Sequence, residues 1–146
     1  MDPVTGGARV DDRCMTGVAG IFACGNVLQV HDLVDYVSDE AERAGIGAAE
    51  FVKNGLSDGE TLATQAGNGV RYVIPQTVRK NSREVSLFLR VTQPFGRVKF
   101  TVTAGDTVLT EVKRLKAAPG EMERITLKPE QLALARNTIT VALEEL

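Results

Sequence analysis

The apolar positions along the chain change period twice. Ile21-Phe22-Ala23-Cys24 is a continuous apolar run between Gly20 and Gly25, and it predicts a short buried strand over 20–24. Ahead of it, residues 2–17 are punctuated by Asp2-Pro3, Thr5-Gly6-Gly7 and Val10-Asp11-Asp12 and read as turns. From Ser38 the period becomes helical. Ala41, Ala44, Ala48, Phe51 and Val52 share one face, Ser38 is a good N-cap, and Asp39 and Glu40 suit the positive end of a helix. Gly45 and Gly47 each weaken a helix interior by about 1 kcal/mol relative to Ala, which points to close packing there. Asn54-Gly55 is a stop signal. Residues 54–68 are polar and glycine-punctuated and read as a linker.

From Gly69 the period becomes two. Val70, Tyr72 and Ile74 alternate up to Pro75, which ends or edges that strand. Val85–Val91 and Val98–Thr103 alternate cleanly, and Ala104-Gly105-Asp106 is a hairpin turn. Thr107–Lys116 alternates imperfectly and predicts a bulged strand. Met122–Leu127 is a further strand, Pro129–Ala135 a short helical turn, and Ile139, Val141 and Leu143 mark a last strand. Asn81 falls in a loop of this unit. Six or seven short strands with turns between them predict a mainly β fold, a small antiparallel β-sandwich of immunoglobulin-like architecture. The domain reading is therefore 1–53, a linker 54–68, and a sandwich 69–146.

Composition narrows the function classes. Of the 146 residues, 43% are hydrophobic and 25% charged, as in ordinary globular domains. No apolar run approaches the ~20 residues of a membrane helix, and Met1–Val4 lacks the basic and apolar regions of a signal peptide. Cys14 and Cys24 form neither a disulfide framework nor a C-x-x-C pair, so a reducing, cytoplasmic setting is expected. The net charge of −2 hides an asymmetry. Residues 1–53 carry nine acidic against four basic side chains, whereas residues 69–146 carry thirteen basic against eight acidic. The halves could attract each other, or the basic half could face an acidic partner. A solvated sheet face is the simpler reading. Arg71, Arg79, Lys80, Arg83, Arg90, Arg97 and Lys99 are candidates for a nucleic-acid surface, but only Phe88 and Phe95 accompany them, so no nucleic-acid partner is expected.

The block Thr16…Gly20-Ile21-Phe22-Ala23-Cys24-Gly25-Asn26-Val27 resembles the second flavin-contacting motif of the pyridine nucleotide-disulfide oxidoreductase family, Thr…Gly-Ile-Phe-Ala-x-Gly-Asp. With Asp2-Pro3-x-Thr5-Gly6-Gly7, Val30-His31-Asp32-Leu33-Val34-Asp35 and Glu40-Ala41-Glu42-x-Ala44-Gly45, the resemblance covers roughly residues 2–53. It points to a bacterial branch of FAD-dependent, NAD-linked oxidoreductases. Residues 69–146 are similar to the β-rich C-terminal extension of that branch. The resemblance implies that residues 1–53 are the strand–turn–helix end of an α/β FAD domain, most of which would precede this segment. It implies cofactor contacts at Gly25, Asn26 and Val27, with Ser38 and Asp39 at a helix start facing the flavin ring. Asn26 stands where the family carries Asp, keeping an acceptor and losing a charge.

The chain has no Gly-x-Gly-x-x-Gly after a strand, because Thr5-Gly6-Gly7 lies in a turn and Gly45-Ile46-Gly47 inside a helix. FAD is therefore expected in the longer parent and not on this chain alone, and no catalytic or metal-ligating residue is assigned. The expected partners are the remaining FAD and NAD domains and a subunit of a redox complex. Strand 20–24, deprived of its parallel neighbours, would pair with a second copy or fold onto the sandwich. His31, with Asp32 and Asp35 nearby, offers acid–base chemistry near a flavin or a packed loop histidine, and the packed histidine is favoured. Cys24 reads as a small buried hydrophobe. The alternative from another class is a non-catalytic interaction module whose sandwich docks a partner subunit.

Overall fold

The computed structural model describes residues 1–80 and 83–146; Asn81 lies outside the described residues. Strands dominate. They are β1 (Thr61–Ala66), β2 (Val70–Ile74), β3 (Thr77–Arg79), β4 (Val85–Val91), β5 (Val98–Ala104), β6 (Thr107–Arg114), β7 (Glu123–Leu127) and β8 (Ile139–Glu145). Helix α1 runs Val34–Asn54 and the short α2 runs Pro129–Leu132. One sheet has the order β3-β1-β8-β5-β6 and the other β2-β4-β7. Every pairing is antiparallel except β1 with β8, which is parallel.

The alternating strands bury what the pattern says they bury. Val98, Phe100 and Val102 of β5, Ile139 and Val141 of β8, and Leu87, Leu89 and Val91 of β4 are fully enclosed in one apolar cluster drawn from both sheets. The expected bulge is in β6. Val102 pairs with Thr110 and Thr103 with Val108, so Leu109 is the extra residue, and it turns into the core.

Three expectations are corrected. First, residues 54–68 are not a linker throughout, because β1 occupies Thr61–Ala66 and bridges β3 to β8. Its sequence, Thr-Leu-Ala-Thr-Gln-Ala, buries only Leu62, so it carries almost no period-two signal. Second, residues 20–24 do not form a strand. They make a small hairpin held by single bridges, Val10 to Thr16 and Met15 to Phe22, with Ala23 N–H donating to Cys14 O at 2.9 Å. Ile21 is exposed, since no neighbouring strand is present to cover it. Third, α1 begins four residues before Ser38. Leu33 is its N-cap and supplies no side-chain bond. Tyr36 is held in the first turn by tertiary packing, edge-on to Phe88 with ring centroids 6.3 Å apart.

The buried stripe of α1 is Glu40, Ala44 and Gly47, rotated from the expected face, and Val52 is exposed. Residues 1–54 pack onto the outer face of the three-stranded sheet. Val10, Leu28 and Ile74 form a second apolar cluster there, with Ala8, Ala23 and Tyr72 around it. Gln76, itself buried, accepts from Val10 N–H at 2.9 Å and donates to Asp2 at 3.2 Å. Four ion pairs join the acidic N-terminal part to the basic strands and their flank: Asp11–Arg79, Asp32–Arg90, Asp39–Arg124 and Glu50–Arg83. Of the seven basic residues in the candidate nucleic-acid surface, Arg79, Lys80, Arg83, Arg90 and Lys99 are engaged with carboxylates of this chain.

Two tests follow from this packing. A chain starting at Asn68 lacks β1 and should bind hydrophobic dye and unfold without a sharp transition. One starting at Ser57 should recover a cooperative urea transition. Equal behaviour would show that β1 is dispensable. The two helix glycines should respond with opposite signs. A Cβ at Gly47 would lie 2.5 Å from Arg13 O, so Gly47→Ala should destabilise. A Cβ at Gly45 meets nothing within 4 Å, so Gly45→Ala should stabilise by about 0.5–1 kcal/mol, read from chemical denaturation.

Candidate functional site

The Gly25–Val27 segment is a 3-10 turn. Gly25 has φ +74°, a conformation that glycine adopts without steric cost, and its carbonyl accepts from Leu28 N–H at 2.9 Å and Gln29 N–H at 3.2 Å. This folds the chain so that Leu28 and Gln29 point inward, 1% and 2% exposed, while Asn26 and Val27 point out. Asn26 Oδ1 accepts a long bond, 3.4 Å, from His31 N–H. The turn lies against the start of α1, whose first N–H groups have no side-chain cap.

Of the five expected cofactor contacts, Asn26 and Val27 share this exposed turn. Gly25 does not offer its N–H outward, because that group donates to Glu40 Oε1 at 2.7 Å. Ser38 and Asp39 are not at a helix start. They lie in the second turn of α1, where their amides are bonded within the helix, and Asp39 faces Arg124 at 3.8 Å. The helix begins earlier than its polar residues suggest, so the uncapped amides belong to Val34, Asp35 and Tyr36.

Glu40, expected as an acid at the helix start, is instead a buried residue inside α1. Its carboxylate is 1% exposed and takes three donors: Gly25 N–H, Gln29 Nε2 at 3.0 Å and His31 Nε2 at 3.0 Å. Its sequence signal is an acid in register with Ala44 and Gly47 on the buried stripe. His31 is thus a packed histidine whose carboxylate partner is Glu40. Asp32 instead pairs with Arg90 at 3.3 Å and accepts Met122 N–H at 3.4 Å. Asp35 is exposed in the first turn of α1.

On its other flank Glu40 borders a cleft of about 350 Å³ between α1 and the β4–β7 face. Phe88 forms part of its wall, with the Arg43 guanidinium 4.6 Å and the Arg124 guanidinium 5.6 Å from the ring centre. Asp12 and Cys14 line it too. Burial raises the Asp12 carboxyl above its usual range, against the opposing bond from Arg79 N–H at 2.8 Å. Burial pushes the Cys14 thiol up to about 11. Cys14 and Cys24 are both free thiols. Among the described residues no group of three His, Cys, Asp or Glu side chains is placed to hold a metal ion, and no helix is long and apolar enough to cross a membrane.

The Cys14 thiol makes a pH prediction. Its folded value lies above the ordinary 9.0, so the unfolded chain loses this proton first as pH rises. The associated stability is complete below pH 9 and is lost as pH rises towards 11. Tyr72, whose phenol burial also raises, acts in the same direction. The urea midpoint of Cys14→Ala should fall less between pH 8 and pH 10.5 than that of wild type. At pH 8 only about one Cys14 in a thousand is thiolate, so iodoacetamide should label it slowly until the chain unfolds. An equal fall in both proteins, or rapid native labelling, would contradict this.

No family model, curated protein or solved structure matches the chain.

Proposed function

We propose that this chain is the C-terminal part of an FAD-dependent pyridine nucleotide oxidoreductase, contributing one wall of the flavin site and an appended immunoglobulin-like sandwich. The observation that carries this reading is the surface around the Gly25–Val27 turn. Val27, Val30, Leu33 and Val34, four apolar residues within eight positions, are 67%, 68%, 54% and 79% exposed. A chain that ends its own packing there leaves a surface suited to a further domain. Asn26 and the uncapped amides of Val34–Tyr36 offer polar partners beside it, suited to the oxygen-rich middle of a dinucleotide. FAD, when bound, supplies the electron-carrying ring. The residues here would orient its polar chain and exclude water from it. Electrons would enter from a nicotinamide dinucleotide bound by domains that this segment does not contain.

The second reading is a non-catalytic module whose N-terminal part braces a partner-binding sandwich. It draws support from the joint between the two parts. Residues 1–54 share an apolar cluster, a buried Gln76 link and four ion pairs with the strands and their flank, which is more than a severed stub requires.

The two readings separate on the coding frame ahead of Met1 and on the protein it encodes. The oxidoreductase reading expects the frame to continue into a strand followed by Gly-x-Gly-x-x-Gly, and expects the longer protein to be yellow. The 146-residue chain alone should leave gel filtration colourless, because half a site does not offset the entropy of holding a large cofactor. In the longer protein Asn26→Leu leaves polar cofactor atoms unpaired, at about 1–3 kcal/mol, a loss of about five- to a hundredfold in FAD affinity. A longer protein without flavin, or a frame without the glycine motif, leaves the interaction module as the surviving reading.

A further inference from the structure

The hydrogen bonds of the Glu40 carboxylate go outside the helix it sits on. Its carboxylate is buried among the apolar stripe of α1, beside Ala44 and Gly47, where an uncompensated charge is strongly unfavourable. All three donors that compensate it come from one short segment, residues 25–31: the backbone of Gly25 at 2.7 Å, the amide of Gln29 at 3.0 Å and the imidazole of His31 at 3.0 Å. Leu28, 1% exposed, adds an apolar contact between two of them. His31 in turn holds Asn26 through its own N–H at 3.4 Å. The 25–31 segment contains no longer element of regular structure to hold it in shape. Its outer flank is tied to the sheet by Arg90, which donates to Val30 O at 2.8 Å, and Leu28 packs on Val10 and Ile74, while its inner polar groups converge on the one carboxylate of Glu40.

We propose that Glu40 is a positioning residue for the exposed turn: it fixes Gly25, Gln29 and His31 on the inner side so that Asn26 and Val27 are presented outward in one geometry. What the turn is presented to rests on the flavin reading above. That Glu40 presents it rests on these contacts alone. Glu40 does not itself face the ligand side, and its effect on binding is indirect. The buried network also leaves Gln29 Oε1 and His31 Nδ1 without partners, so among the described residues the Glu40 carboxylate carries the polar contact on the inner side of the turn. A proton on His31 Nε2 is the arrangement in which the ring donates to the Glu40 carboxylate.

The test uses the 146-residue chain without any flavin. Glu40→Gln keeps the length but has one acceptor oxygen for three donors and turns an N–H₂ towards the others. Amide exchange at Gly25 and His31 should accelerate about tenfold or more, in keeping with the loss of a charge-assisted hydrogen bond. Exchange at Leu87 and Leu89 in β4 should not change. The ring ¹⁵N shifts of His31 should move from the Nε2–H pattern to a mixture of tautomers, a signature that a purely space-filling role would not produce. Gln29→Leu, which removes one donor and leaves the carboxylate, should loosen Gly25 less, and it serves where Glu40→Gln does not fold. Unchanged exchange at Gly25 in Glu40→Gln overturns the proposal, as does a uniform acceleration that includes β4. In a flavin-binding parent, Glu40→Gln should weaken FAD binding about tenfold, and unchanged affinity would overturn presentation to that ligand. A parent that holds no flavin removes the flavin reading and leaves the exchange result to decide the role of Glu40.

Discussion

The three-stranded sheet buries apolar side chains on both faces, and the rest of the molecule is arranged around that fact. On the inner face Val73, Leu87, Leu89 and Ile125 close the sandwich core. On the outer face Ile74 and Phe88 are equally buried, though they alternate with the core positions. Left uncovered, Ile74 and Phe88 would meet water and the sheet would lose stability. The N-terminal segment is what covers it. Leu28 and Val10 meet Ile74, while Tyr36, Arg43 and Arg124 enclose Phe88. The domain boundary suggested by composition is therefore not a boundary in packing.

Charge follows the same division. The acidic excess of residues 1–53 and the basic excess of residues 69–146 meet at this covered face, where four ion pairs cross between them. The more exposed of them, Asp39–Arg124 and Glu50–Arg83, contribute little each, about 0–1 kcal/mol. Their value is in register, since they border a contact already secured by apolar burial and by the Gln76 hydrogen bonds. Glu40 is different in kind. It is fully enclosed and its partners are polar groups of the turn, so it organises a loop and does not join two surfaces.

The candidate site is built on that organisation. A small hairpin at 14–16 and 21–23 brings the chain to Gly25, a single positive-φ glycine reverses it, and the carboxylate of Glu40 fastens the result to α1. The outer side of the turn is then left with Asn26, an apolar surround and uncapped helix amides. Under the proposed oxidoreductase reading those features would face a polar, extended ligand shared with another domain.

Much of the sandwich was legible in the residues, because strict alternation leaves a strand one way to face a core. β2, β4, β5 and the end of the chain fall where their period places them, and the imperfect alternation of Thr107–Lys116 announced a bulge, which the register places at Leu109. β1 and β3 were not legible. β1 has small polar residues and one buried leucine, and β3 has three residues, so their pairing is decided by the neighbours that they join. The apolar run at 20–24 misled for the opposite reason, since a strand needs partners and this segment has only a hairpin to offer. Gly25, Asn26 and Val27 do form a turn, as the Gly-Asn pair after the apolar run suggests. Ser38 and Asp39 were misplaced because Leu33, a poor cap by type, begins the helix under tertiary packing of Tyr36 on Phe88. The sequence by itself determined a β-rich core and a polar turn. Only the tertiary structure decided that Glu40 holds that turn, because a buried acid is recognised by the donors folded around it and not by its place in a pattern.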